Sequence, residues 1–204
     1  MWKTLTFVFA TGLVWACAPI LDLGPIDGPA RPVLVPVPLS LTTAGGTSCN
    51  GVRIDERTVA TAAHCLSDGT TLRLREAGVT QVTSDTMMHP AYAFHPGDDA
   101  GGFDLAKVFV ASPSGVNGAV PIAPIQPGPV RILVRDAAGE LREVPCTFLG
   151  RSGRLVELGC RVNLGWSGAP VIQDGALVGV LSARGRGATV EVVQIADASL
   201  LESF

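Results

Sequence analysis

From Val33 onward the chain breaks into short β-branched runs punctuated by Gly, Pro, Asp and Asn, with no long stretch of helical period. That spacing restricts the fold to sheets. Side chains alternating every second residue line one face of a strand, whereas a helix needs a repeat near 3.6. A first group of candidate strands comprises Ser48 to Ile54, Thr58 to Thr61, Thr71 to Arg75, Gln81 to Met88 and Leu105 to Val110, ending near Ser112. A second group comprises Val130 to Val134, Leu141 to Leu149, Leu155 to Leu158, Pro170 to Gln173, Leu177 to Ser182 and Thr189 to Ala196. Between them, Ser112 to Pro129 holds five prolines and three glycines. Proline donates nothing to a ladder, so this stretch reads as the crossover between two halves. The expected class is all-β, with a terminal helical turn over Ala198 to Phe204.

A length of 204 residues with 47% hydrophobic and 16% charged content suffices for one sizeable core or two small ones. A formal net charge of −3 provides no basic surface for phosphates to neutralise, which excludes nucleic acid as a partner. Lys3 precedes an uncharged apolar run from Leu5 to Ala16, too short to span a bilayer comfortably, so residues 1–17 read as a signal peptide and 18–32 as a flexible tether. Ala16-Cys17-Ala18 permits cleavage after Ala18, or before Cys17 if Val14-Trp15-Ala16-Cys17 is a lipoprotein box. Cys17 is thus either discarded or lipidated, and the lipid would be the sole membrane contact. Export is expected, to a bacterial periplasm, the exterior or the envelope. Five cysteines cannot all pair within one chain, and Cys17 is the natural odd one. Cys146 and Cys160 flank Gly153 symmetrically, so a hairpin turning at Arg151-Ser152-Gly153-Arg154 would bring them face to face in a bridge. No zinc spacing is present, and neither metal nor cofactor is expected.

Acyl transfer at neutral pH needs a hydroxyl nucleophile, an imidazole base and a carboxylate that orients it, each weak alone. The chain offers them in the order His, Asp, Ser: Thr61-Ala62-Ala63-His64-Cys65, Phe103-Asp104-Leu105-Ala106 and Gly165-Trp166-Ser167-Gly168-Ala169-Pro170. These segments resemble the trypsin/chymotrypsin-like serine peptidases. In that family Thr-Ala-Ala-His-Cys carries the base, Asp-Ile/Leu-Ala follows the carboxylate into a strand, and Gly-Asp-Ser-Gly-Gly-Pro carries the nucleophile. The resemblance implies a peptidase domain over residues 33–204. It would consist of two small six-stranded antiparallel β-barrels, about 33–112 and 120–204, with the active site in the cleft between them. It further implies His64 as base, Asp104 as its orienting acid, Ser167 as nucleophile, and the N–H groups of Gly165 and Ser167 as the oxyanion hole. A bridge between Cys49 and Cys65 is implied too, anchoring the residue next to the base. Substrates would be proteins or peptides, and the enzyme a monomer.

The pattern also departs from the family. Trp166 stands where activatable animal enzymes carry an aspartate, and no Ile-Val-Gly-Gly start occurs near residue 33. The similarity is therefore to bacterial members without N-terminal zymogen activation, glutamyl endopeptidases among them, whose site is preformed. Arg161 falls near the base of the expected primary pocket, and Ser182 and Arg184 lie on the strand that resembles its wall. Two arginines would favour an acidic side chain, unless they point to solvent. His89 and His95 are weaker candidates for the base. Asp98 and Asp99 read as a solvated turn, with calcium binding as the alternative. The competing functional class is a catalytically inactive protease-like module that binds peptides or proteins at the envelope, with Trp166 distorting the oxyanion turn. An α/β-hydrolase esterase is disfavoured, since that scaffold places Ser before Asp and His.

Overall fold

In this computed structural model the described residues are 35–67, 69, 71–76, 79–83, 85–94, 102–111, 118–186 and 191–204, with the backbone alone at 76, 93–94 and 183–186. The readings made at residues 1–32, including Cys17, and at His95, Asp98 and Asp99 lie outside them.

The first half is a curled antiparallel sheet of seven strands: β1 (Pro38–Thr43), β2 (Ser48–Arg53), β3 (Thr58–Thr61), β4 (Leu72–Glu76), β5 (Val79–Thr83), β6 (Asp85–Met88) and β7 (Ala106–Phe109). Their spatial order is β5-β4-β1-β2-β3-β7-β6. The seventh strand arises because Gln81 to Met88, which reads as one run, is divided between β5 and β6, with each half paired to a different neighbour. The second half is a closed six-stranded barrel, in the order β10-β13-β12-β11-β8-β9. Its strands are β8 (Pro129–Arg135), β9 (Leu141–Ser152), β10 (Leu155–Gly159), β11 (Pro170–Gln173), β12 (Ala176–Arg186) and β13 (Glu191–Asp197). The fold is thus the double-barrel all-β architecture that the motifs implied.

Alternation in the sequence directs each strand. In β8 the side chains of Val130, Ile132 and Val134 are buried while Arg131 is exposed, and in β4 Leu72 and Leu74 point inward between outward-facing arginines. Leu41, Leu72, Leu74 and Leu105 are fully enclosed in the first core, and Ile132, Leu158 and Ile195 in the second. Each such side chain contributes about 1.5–3 kcal/mol relative to leaving it in water. The strand β2 differs, since five of its six residues are buried. It therefore has one face in the first core and the other against the second half.

Both expected disulfides form. Cys49 on β2 is bonded to Cys65, and Cys146 on β9 to Cys160 just beyond β10, with Cα–Cα separations of 6.4 and 4.9 Å. The second spans the hairpin that turns at Gly153, where Leu155 pairs with Ser152. The chain ends in a 3₁₀ helix, Ala198–Ser203, whose first turn is capped by Asp197 through the backbone N–H and hydroxyl of Ser199. Its last residues return to the first half. His89 lies between the rings of Phe103 and Phe204, with both centroids at 5.0 Å, and Lys107 stands over the Phe204 ring. No helix among the described residues is long and apolar enough to cross a membrane.

Candidate active site

His64 sits in a single 3₁₀ turn, Ala63–Leu66, directly after β3. Its neighbour Cys65 is held by the bridge to β2, so the imidazole projects from a short, covalently braced segment. Asp104 precedes β7 and is only 3% exposed. β3 and β7 are neighbours in the sheet, with Thr61 opposite Ala106, and this pairing brings two residues forty positions apart into contact.

The carboxylate of Asp104 accepts three hydrogen bonds. Its Oδ1 receives the backbone N–H of His64 at 2.8 Å. Its Oδ2 receives the His64 imidazole Nδ1–H at 2.6 Å and the Ser182 hydroxyl at 2.6 Å. Three donors replace the hydration that burial removes from this carboxylate. With Nδ1 donating, the neutral imidazole has Nε2 unprotonated, the tautomer a general base requires. Burial tends to lower the His64 pKa. The hydrogen bond and charge of Asp104 outweigh that, so the net shift is upward from the ordinary 6.5.

Ser167 lies in the tight turn before β11. Gly165 and Gly168 both adopt φ of +82°, a left-handed conformation that L-residues with side chains rarely tolerate. At Gly168 space adds a second constraint, since a Cβ would fall 2.0 Å from Asn50 O and 2.3 Å from Thr61 Oγ1. The turn is closed by Ala169 N–H donating to Trp166 O at 3.1 Å and fixed to β12 by Gly168 N–H donating to Leu181 O at 2.8 Å. It is fixed to β2 by Asn50 N–H donating to Ser167 O at 2.6 Å. Among the described residues the N–H groups of Gly165 and Ser167 have no acceptor, and no hydrogen bond joins Ser167 Oγ to His64 Nε2. The hydroxyl–imidazole contact of such sites is often loose before substrate arrives.

The bracing of all three side chains is continuous. β2 is bonded through Asn50 to the Ser167 turn and through Cys49 to the residue beside His64, and His64 is bonded to Asp104. A profile of the family described as Trypsin matches residues 28–131, just over half of the 204. The chain belongs to the trypsin family. Two solved structures share its fold. One is the Rv3671c protease in an inactive form, with a TM-score of 0.62 and 16% identity over 83% of this chain and 87% of that one. The other is a thermostable serine protease, AL20, from an extremophilic microorganism, with a TM-score of 0.63 and 18% identity over 80% and 90%. No curated protein sequence matches the chain significantly. Family and fold together support serine-protease function.

Within this trypsin-family frame Trp166 does not stand off the turn. It is half-buried and packs against the core of the second barrel. Arg161 is exposed and makes neither ion pair nor hydrogen bond among the described residues. The backbone of Arg184 lies on β12 opposite Val193, and its side chain is outside the described set. Ser182, read from the sequence as a pocket residue, turns its hydroxyl to Asp104. His89 is buried between aromatic rings, with Nδ1 accepting from Ala91 N–H at 3.1 Å. Asn50 was not anticipated at all. The one signal for it was a poor strand former inside the run that follows Cys49. Among the described residues no cluster of three or more His, Cys, Asp or Glu is arranged to hold a metal.

Proposed function

We propose that this chain is an exported serine endopeptidase that hydrolyses peptide bonds through a covalent acyl-enzyme. Ser167 is the nucleophile, His64 the general base and then acid, and Asp104 the carboxylate that fixes the His64 tautomer and stabilises the imidazolium. The observation that carries this reading is the Asp104 cluster, in which one buried carboxylate holds the His64 ring, the His64 backbone and Ser182 together. Ser167 Oγ attacks the scissile carbonyl carbon as its proton passes to His64 Nε2. The carbonyl oxygen becomes an oxyanion received by the N–H groups of Gly165 and Ser167. His64 returns the proton to the leaving amine, and a water, activated the same way, releases the acid.

Export is supported by the two disulfides and by the apolar run from Leu5 to Ala16. In this reading residues 1–17 are the leader, 18–32 the tether and 33–204 the peptidase, acting as a monomer on proteins or peptides. Arg161 and Arg184 make an acidic residue before the cut the specificity to test, and a peptide-library profile without Glu or Asp enrichment there would dispose of it. The inactive-module alternative is favoured by one observation, the unmade Ser167–His64 hydrogen bond. Casein or peptide hydrolysis by the purified chain separates the two. The endopeptidase reading expects internal cleavage that Ser167→Ala reduces about 10⁶-fold, and peptide binding without cleavage by the unaltered chain contradicts it.

A further inference from the structure

We propose that Asn50, which no catalytic role above uses, is a positioning residue that holds the oxyanion turn in its working shape from the opposite barrel. The proposal rests on the serine-protease reading and adds to it the group that keeps the turn preformed. Asn50 is completely buried at the middle of β2, where Asn is poorly suited to a strand. A buried carboxamide is retained at little cost only when its polar atoms are partnered. Those partners are unusual in where they lie.

The side-chain Nδ2 donates to Gly165 O at 3.2 Å, and Oδ1 accepts the Arg135 N–H of β8 at 2.8 Å. The backbone N–H donates to Ser167 O at 2.6 Å, and the backbone carbonyl accepts the Thr61 hydroxyl at 2.6 Å. One residue of the first half thus grips the carbonyls on both sides of Trp166 while its amide oxygen is anchored to a strand of the second half. Turning either peptide plane would cost a buried hydrogen bond. The two carbonyls engaged by Asn50 belong to the Gly165–Trp166 and Ser167–Gly168 peptides, which flank the Trp166–Ser167 peptide, and the carbonyl of that middle peptide is itself held by Ala169 N–H. The backbone that carries the Gly165 and Ser167 N–H groups is therefore fixed on either side of Trp166 before any substrate binds. Donors preorganised in this way stabilise the transition state without reorganising during the reaction. The neighbouring Thr61, fully buried, fixes the Asn50 carbonyl in turn, so the grip is itself braced.

The test is Asn50→Asp, nearly the same shape, which keeps an acceptor for Arg135 N–H but replaces the donor to Gly165 O by a repelling oxygen. Asn50→Ser serves as a second variant with less bulk. Each is compared with the unaltered chain in kcat and KM on one peptide substrate, in the affinity of a peptidyl boronic acid, and in thermal unfolding. The expected result is a cooperatively folded variant with kcat lower by about 10²-fold, KM within about twofold, and boronate affinity falling in parallel with kcat/KM. A merely structural role would lower the folded fraction and leave kcat per folded molecule unchanged. Folded variants with unaltered kcat and boronate affinity overturn the proposal and leave the protease reading standing. An unaltered chain that neither cleaves peptides nor binds the boronate overturns both.

Discussion

Gly168→Ala probes the junction on which the Ser167 turn depends. The new Cβ would lie 2.0 Å from Asn50 O and 2.3 Å from Thr61 Oγ1, where ordinary contact begins near 3.4 Å, so the turn must retreat by more than 1 Å. Alanine at a φ of +82° adds about 1–2 kcal/mol of backbone strain. Retreat would also break the bond from Asn50 N–H to Ser167 O and disturb that from Thr61 Oγ1 to Asn50 O. Stranding buried groups of this kind costs about 1–3 kcal/mol each. The total is about 3–8 kcal/mol out of a typical 5–15 kcal/mol of stability. Urea unfolding followed by tryptophan fluorescence should show a lower midpoint with an unchanged slope, because the surface exposed on unfolding is the same. The surviving folded protein should lose about 10²-fold in kcat/KM from misplacement of Ser167 by an ångström. A Gly168→Ala protein within about 1 kcal/mol of the original stability and with undiminished kcat/KM would refute the packing described for this turn.

Four further outcomes follow from the structure. Because Asp104 raises the His64 pKa above 6.5, and only neutral His64 can accept a proton, kcat/KM should rise with pH through a midpoint above 6.5; Asp104→Asn should lower that midpoint and cut kcat by about 10⁴-fold. The linked stability has the opposite sense. The folded state binds the His64 proton more tightly than the unfolded one, so this contribution is complete below 6.5 and is lost as pH rises through the raised folded value, a trend that denaturation of His64→Ala across the range should flatten. Ser182→Ala should remove one charge-assisted hydrogen bond from Asp104, of about 1.5–3 kcal/mol, and slow turnover about 10–100-fold without changing KM. Replacing Cys49 and Cys65 together by Ala opens a loop of sixteen residues and should cost about 3 kcal/mol in calorimetric unfolding, or about 6–12 °C in Tm.

The parts of this molecule that are local in sequence were readable there. Alternation such as Leu72-Arg73-Leu74 announces a half-buried strand, and small residues around Ser167 announce a tight turn. The symmetric placement of Cys146 and Cys160 about Gly153 announced a hairpin and its bridge. What stayed hidden depends on which strands meet. The division of Gln81 to Met88 into two strands becomes visible only once β4 and β7 are seen to claim different halves. Ser182 reads as part of a pocket-wall strand, and only the approach of β12 to the residue before β7 turns its hydroxyl onto Asp104. Asn50 carries no motif, and its four partners come from three segments as far as 117 positions away. Trp166 looked like a departure that could spoil the oxyanion turn, yet the second core offers its ring a place to pack.

A Ser167 hydroxyl made nucleophilic by His64 held on Asp104 should react with an electrophilic phosphonate. Labelling with a fluorophosphonate probe, read by intact mass and peptide mapping, tests it most directly. One adduct per chain is expected, located on Ser167, absent in Ser167→Ala and formed far more slowly in His64→Ala. A folded chain that stays unlabelled, or that carries its adduct on another residue, would contradict it.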